Sequence, residues 1–331
     1  MYSGSMCKNT KDMEEIINII LDNNSFLLMA HNSPDGDALG SLVALEEVLK
    51  KLDKEVLVVF QNKVPNHYAS IIGKKRVNKI ITPKKYYDVL IVLDCSDIDR
   101  IYEEALDYAD RKIVIDHHIS NYVMQNIFDI IYIDDVSSTG MILYEVIKTI
   151  ENKTDKGLID SFIATCLYLT IRSDTGNFQN NSTNVMAHYI SSKLLEYNAD
   201  ITIVNQIYKN RDFSLLKLMG ICFQSIYVDY NNKLLYLIVK REDIKKAGST
   251  YEEASSLIDY IRNINGIDTY LLFLEDTNNV KIKARSETKD VAKLMNTFNG
   301  GGHIGAAGAV IYGNNVYNIS NKVINEFKKN N

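Results

Sequence analysis

The chain lacks most of what would tie it to a membrane, to long nucleic acid or to an oxidising compartment. No apolar run approaches the ~20 residues that a membrane helix needs, and the first residues are polar, without the apolar core of a signal peptide. Lys and Arg number 37 against 42 Asp and Glu, for a formal net charge of -5. The basic excess that marks a broad duplex-binding surface is therefore missing. Small anionic substrates are not excluded, because a few lysines or a metal can neutralise them locally. Cys7, Cys95, Cys166 and Cys222 are scattered and form no C-x-x-C pair, which fits a reducing compartment and leaves no structural zinc site. A cytoplasmic protein is expected. There is no Walker loop, no serine elbow and no internal repeat.

What is present is enough apolar material for a sizeable core. At 331 residues, 46% hydrophobic and 24% charged, the chain reads as globular, with one large or two ordinary domains. Its organising stretch is His31-Asn32-Ser33-Pro34-Asp35-Gly36-Asp37-Ala38-Leu39-Gly40. The apolar run 26–30 leads in as a strand. Leu42, Leu45, Leu49 and Leu52 lead out at helical spacing. One imidazole and two carboxylates thus share a tight turn in which Pro34 and Gly36 bend the chain and Asp37 can cap the helix. Turn and cap roles alone would account for these residues if nothing downstream matched them.

Three downstream clusters do. The strands expected at 88–93 and 112–115 are continuous apolar runs of the kind buried on both faces of a parallel sheet, and they end in Asp94 and in Asp116-His117-His118. An apolar helix at 158–171 delivers Arg172-Ser173-Asp174-Thr175-Gly176. With a first helix at 12–21 and a second strand at 55–60, the alternation predicts a doubly wound, mostly parallel α/β sheet. Ligands bind at the carboxyl ends of strands in that architecture. Ser137-Ser138-Thr139, before a helix from 140 to about 150, read as an N-cap.

Beyond a helical stretch broken at Asn198-Ala199-Asp200 the character changes to a smaller α+β domain. Strands within 226–239, a helix at 252–261, a hairpin pairing 270–275 with 281–284 and a final helix at 319–328 are expected. The domains are set at 12–195 and 214–329, with a helical linker at 196–213 and the active site expected in the cleft between them. Gly300-Gly301-Gly302-His303 reads as a loop that exposes N–H groups to an anion, followed by small residues on which a helix can pack closely. Arg285-Ser286, at the end of a strand, is a second anion contact, set against a surface ion pair between Arg285 and Glu287.

Histidine nitrogen with many carboxylate oxygens and no thiolate suits manganese, iron or cobalt. The count supports two ions, which together activate a water and clamp both oxygens of an in-line displacement at phosphorus. Metal-assisted phosphate-ester hydrolysis is the reaction class these residues support.

In order, His31-x-x-x-Asp35-x-Asp37, Asp94, Asp116-His117-His118, Asp174-Thr175-Gly176 and Gly300-Gly301-Gly302-His303 resemble the DHH phosphoesterases with the type-1 DHH-associated C-terminal domain. The resemblance implies a dimanganese site held by His31, Asp35, Asp37, Asp94, His117 and Asp174, with Asp94 bridging. It places His118 beside the reacting phosphate or its water, and Asp116 behind the histidines. It gives Arg285, His303 and the Gly300–Gly302 backbone to the substrate's terminal phosphate or nucleotide. Size and domain order are most similar to the stand-alone nanoRNase and pAp phosphatase enzymes, which act on oligonucleotides of two to five residues and on 3′-phosphoadenosine 5′-phosphate. A homodimer is implied by resemblance alone. Enzymes cleaving linear or cyclic diadenylate share the motifs. A non-catalytic nucleotide-binding regulator would be expected to have lost a metal ligand, and here all six positions are filled. Asn299 stands where many members have a fourth glycine, and Gln179 where some have arginine.

Overall fold

The computed structural model describes residues 10–329 apart from residues 96, 119–125, 210–211 and 314. Cys7 lies outside them; Cys95, Cys166 and Cys222 are free and buried. The chain forms two compact units, the first ending at residue 210 and the second beginning at residue 211. Among the described residues no helix is long and apolar enough to cross a membrane.

The first unit runs α1 (Thr10–Asp22), β1 (Ser25–Met29), α2 (Gly36–Lys51), β2 (Glu55–Val58), α3 (Ala69–Ile72), β3 (Tyr87–Leu93), β4 (Ala109–Asp116), β5 (Ile130–Ile133), α4 (Thr139–Thr154), α5 (Ser161–Asp174), α6 (Val185–Glu196) and α7 (Ile201–Lys209). Its five strands pair in parallel in the order β2-β1-β3-β4-β5. The two-residue period of a strand sends alternate side chains to opposite faces. Phe26, Leu28, Ile91 and Leu93 enter the core under the helices, while Leu27, Met29, Leu90 and Val92 enter a second core on the other face, with Ala105, Leu106 and Phe128. With both faces covered, the central strands are apolar at nearly every position.

The strand order reverses between β1 and β3. Chain leaving those neighbours at their carboxyl ends diverges and opens a crevice there. His31 follows β1 and Asp94 follows β3, one on each side of that reversal. Helices α2 and α5 pack at a distance that only glycine permits at position 40, where a Cβ would lie 2.5 Å from the Cys166 carbonyl oxygen. That contact brings the end of α5, and with it Asp174, over the start of α2.

The second unit runs α8 (Phe213–Cys222), β6 (Tyr227–Asp229), β7 (Leu234–Val239), α9 (Arg241–Ala247), α10 (Tyr251–Ser255), β8 (Thr269–Glu275), β9 (Asn279–Ser286), α11 (Val291–Asn296), β10 (Gly301–His303), β11 (Ala306–Tyr312) and α12 (Val316–Lys329). Its sheet has the order β10-β11-β9-β8-β7-β6. All pairs are antiparallel except β7 with β8. Helices α11 and α12 cover one face; α8, α9 and α10 cover the other over β7 and β8.

Three details differ from the sequence reading. The helix expected over 252–261 stops at Ser255 and tightens into a 3-10 turn over Ser256–Tyr260. Strand β5 was not expected; it is four residues long and pairs only with β4. The stretch expected as a link is divided: Val204 and Ile207 of α7 join the core of the first unit, and α8 opens the second. The small residues after the glycines lie on strand β11, and helix α11 packs over them as the sequence reading expects.

The α2–α5 contact is testable by Gly40→Ala. The added methyl must push the two helices apart, so urea unfolding should show a loss of about 1–3 kcal/mol. An unchanged midpoint would show that the contact can relax.

Candidate functional site

Backbone geometry, near and distant in sequence, fixes Asp35, Asp37 and Asp94. Asp35 caps α2, its Oδ1 accepting from the N–H groups of Asp37 at 2.9 Å and Ala38 at 3.3 Å. Asp37, in the first turn and fully buried, turns the other way. Its Oδ2 accepts from Thr139 N–H at 2.7 Å, and its Oδ1 from Gly140 N–H at 3.2 Å and Ser41 Oγ at 3.2 Å. The N-terminus of α4 is therefore satisfied by Asp37. Ser138, at the N-cap position, makes no side-chain capping bond, which corrects the reading of Ser137-Ser138-Thr139 as a self-contained cap. Asp94 leaves β3 in the left-handed region with φ 56°, a conformation disfavoured for most side chains and tolerated by Asp.

The histidines meet these carboxylates. His31 Nε2 lies 3.7 Å from Asp94 Oδ2. His117 Nε2 lies 2.8 Å from Asp174 Oδ2, 3.5 Å from Asp37 Oδ2 and 3.6 Å from Asp94 Oδ1. No hydrogen bond aligns with that nitrogen although it is buried. Convergence on a common point without hydrogen-bond alignment is how ligands of one ion are disposed. The other nitrogen, Nδ1, lies 3.1 Å from the Val136 carbonyl, which as acceptor holds a proton there, so that the neutral ring would offer its Nε2 lone pair to an ion.

Three sets of side chains bring one donor atom each within 4.8 Å of one another: His31, Asp35 and Asp94; Asp37, His117 and Asp174; and Asp94, Asp116, His117 and His118. Asp94 belongs to the first and third, and its Oδ1 reaches toward the second through His117. Oxygen and imidazole donors without thiolate fit a hard or borderline divalent ion, and the donor set present fits a metal.

Electrostatics point the same way. Burial, and then the charges of Asp94 and Asp174, raise Asp35 from 3.8 to about 6. The same causes push Asp37 well above the carboxylate range, and burial raises Asp174. Asp94 is the exception. Burial opposes its ionisation, but the imidazoles of His117 and His31 prevail and hold it at about 2. A divalent cation is what allows such a group to ionise together.

Asp116 is fully buried. Its Oδ1 accepts from the His117 N–H at 2.8 Å and the His118 N–H at 3.3 Å and lies 2.9 Å from His118 Nδ1. It holds the two histidines from behind. The side chain of His118 is 45% exposed. Behind Asp174, Gly176, Asn177 and Phe178 follow one another in the left-handed region, and the Asp174 carbonyl accepts from Asn180 Nδ2 and Ser182 Oγ, each at 3.1 Å.

In the second unit the expected residues divide. Gly301–His303 form edge strand β10 rather than a loop, paired to β11. A Cβ at Gly300 would lie 2.3 Å from the Gly308 carbonyl oxygen, and one at Gly302 2.5 Å from that of Ala306, so these two glycines serve the close approach of β10 to β11. Gly301 alone would meet nothing nearer than 3.9 Å and remains open to a ligand. Asn299 takes a left-handed φ of 57°, a conformation that asparagine accepts more readily than most side chains. The register puts Arg285, Ala306 and His303 in one row across three strands. The His303 side chain lies outside the described residues. Ser286 points to the opposite face from Arg285. Its hydroxyl donates to Asp268 Oδ2 at 2.6 Å and accepts from Lys289 N–H at 3.0 Å, which corrects its assignment as an anion contact. Among the described residues no ion pair joins Arg285 to Glu287.

The contacts sequence reasoning missed are the Thr139 and Gly140 amides. They lie 102 and 103 positions from Asp37, and the reading of Ser137-Ser138-Thr139 as an N-cap left no signal for them.

Comparison with known proteins places residues 25–171 in register with the DHH family, N-terminal domain, and residues 231–329 with the DHHA1 domain. A Bacillus subtilis protein named bifunctional oligoribonuclease and PAP phosphatase NrnA is 27% identical over 300 residues, covering 90% of this chain and 93% of that one. A protein of the same name from Mycoplasma genitalium is 28% identical, covering 90% and 92%. Among solved structures, an exopolyphosphatase-related protein from Bacteroides fragilis superposes with a TM-score of 0.85 at 27% identity, covering 96% of each chain.

The raised carboxylates set the pH behaviour of the metal-free protein. Folded Asp35 holds its proton more tightly than the unfolded chain does, so its stabilising contribution is present below 3.8 and is lost as pH rises through about 6. Asp37 and Asp174 act in the same direction. Chelator-treated protein should lose melting temperature between about pH 4 and about pH 7, and added manganese should raise it more at the upper end. Scanning fluorimetry reads both. A metal-induced shift that does not grow with pH counts against a carboxylate centre.

Proposed function

Because the chain belongs to the DHH family, with a DHHA1 domain after the DHH domain, we propose that it is a manganese-dependent phosphoesterase of short nucleotides. It trims oligonucleotides of a few residues and removes a phosphate from 3′-phosphoadenosine 5′-phosphate. The observation that carries this reading is the meeting of two sets of oxygen and imidazole donors around Asp94. The named oligoribonuclease and PAP phosphatase relatives, matched over nine-tenths of this chain, support the choice of substrate.

In this reading His31, Asp35, Asp37, Asp94, His117 and Asp174 hold two ions, with Asp94 shared. Bound divalent ions would supply a water of lowered pKa and neutralise charge developing on the phosphate. The remaining steps belong to the chain itself. Asp116 accepts the Nδ1 proton of His118, which fixes the tautomer and leaves Nε2, on the exposed side of the ring, to hold the attacking water or a phosphate oxygen. Thr139 and Gly140 amides keep Asp37 from turning toward solvent. Arg285, with the open backbone at Gly301, takes a phosphate of the substrate away from the bond being broken.

The test is turnover with manganese on 3′-phosphoadenosine 5′-phosphate, a 5′-phosphorylated dinucleotide and cyclic diadenylate. The first two should be the better substrates, and a clear preference for the third would reassign the protein to the cyclic-dinucleotide phosphodiesterases. Asp94→Asn should abolish turnover while leaving the circular dichroism spectrum intact, and a variant with full activity would refute the centre. Asp116→Asn should lower kcat by about ten- to a hundred-fold, the usual cost of losing a partner behind a functional histidine.

A further inference from the structure

Strand β9 alternates in an unusual way. Val280, Ile282 and Ala284 point into the core beneath α11 and α12. Lys281, Lys283 and Arg285 point to the opposite face, each half-buried. On that face the covering helices pack over β7 and β8, and their core includes no residue of β9 or β11. The three cations therefore stand at the margin of the covered region, at successive same-face positions of one strand.

Cations so placed usually have anionic partners, because burying a charge without one is costly. These have none within ion-pair distance. The ion pairs of the second unit join Lys240 to Glu242, Lys328 to Asp229 and Lys329 to Glu326, and among the described residues none reaches β9. Among the described residues Arg285 donates only to the Ala284 carbonyl, at 3.0 Å, and Lys283 only to the Ser255 carbonyl, at 3.2 Å. Burial and the neighbouring cations pull both groups down. For Arg285 the neighbour is Arg262, and for Lys283 they are Arg285 and Lys281; Asp259 alone offsets them. On its β8 side the row is flanked by Tyr270, Leu272 and Leu274, whereas on its β11 side it meets only Ala306 beside Arg285, Gly308 beside Lys283 and Val310 beside Lys281, so the row is open toward β11. Farther along β11, Val310 is 46% and Tyr312 83% exposed.

We propose that Lys281, Lys283 and Arg285 form a track for successive phosphates of a short single-stranded oligonucleotide. Arg285 takes one phosphate, and Lys283 and Lys281 take the next two. Alternate residues of a strand repeat at about 6.8 Å, a step comparable to that between successive phosphates of an extended single strand. Bases carried past Lys281 would meet Val310 and Tyr312, the pairing of basic groove and aromatic surface that suits single strands. The proposal deepens the function given above and rests on the second unit holding substrate. It adds that affinity grows with the number of phosphates.

The test is fluorescence anisotropy of the full-length chain with manganese, using cleavage-resistant phosphorothioate oligonucleotides of two, three and five nucleotides, alongside competition by 3′-phosphoadenosine 5′-phosphate. Affinity should rise with length. Lys283→Met should weaken five-nucleotide binding on the order of ten-fold, with a smaller change for the bisphosphate. It should also reduce the dependence of log affinity on log salt by about 0.7. Lys283→Arg should restore both. Lys281→Met serves as the second variant if Lys283→Met does not fold. Equal losses for the bisphosphate and the five-mer would reduce Lys283 to a prop for Ser255 and overturn the proposal. So would binding that is independent of length, or no binding at all. Turnover of short nucleotides with length-independent binding would leave the enzymatic reading intact while this one falls. Length-dependent binding lost in Lys283→Met, without turnover of any substrate, would do the reverse.

Discussion

Four carboxylates, Asp35, Asp37, Asp94 and Asp174, are held together against their mutual repulsion, with Asp37 and Asp94 buried, Asp174 half-buried and Asp35 on the exposed side. Much of the first unit serves that arrangement. Three of the four are driven toward the protonated form by burial and by one another. The fold opposes this with dipoles rather than with lysine or arginine: α2 begins at Asp35, and α4 begins with its first amides aimed at Asp37. Helix N-termini stabilise negative charge without occupying the space a cation would fill. An ammonium or guanidinium at the same place would satisfy the carboxylates and leave them useless as metal ligands.

The same economy runs through the histidines. His117 spends one nitrogen on the Val136 carbonyl and keeps the other among the carboxylates. His118 spends one on Asp116 and keeps the other toward solvent. One buried aspartate thus sets the direction of two rings, because its Oδ1 also accepts both of their backbone amides. The parallel sheet makes this possible by ending β1, β3 and β4 along one edge, with the reversal of strand order between the first two.

Much of this was legible in the sequence because ligand-binding residues in a doubly wound sheet follow strand ends, and strand ends can be read from apolar runs. His31, Asp94 and the Asp116–His118 run were identified on that basis. Residues whose role depends on distant backbone were not. Asp37 reads as a helix-capping residue, and it does cap a helix, but that helix is α4 rather than its own. The glycines at 300–302 read as an open loop because sequence does not distinguish a glycine needed by a ligand from one needed by a neighbouring strand; Gly300 and Gly302 are of the second kind and Gly301 is left for the first. Ser286 failed for a simpler reason. Its neighbour Arg285 was correctly seen at a strand end, and adjacent residues of a strand face opposite ways.

The account turns on whether Asp94 serves two ions at once. Electron paramagnetic resonance of the manganese-loaded protein, with the metal counted per chain, tests this most directly. Two ions per chain, with the exchange-coupled spectrum of a bridged pair, is the predicted result. A single uncoupled ion per chain would contradict the shared centre and reduce one of the two donor sets to structural packing.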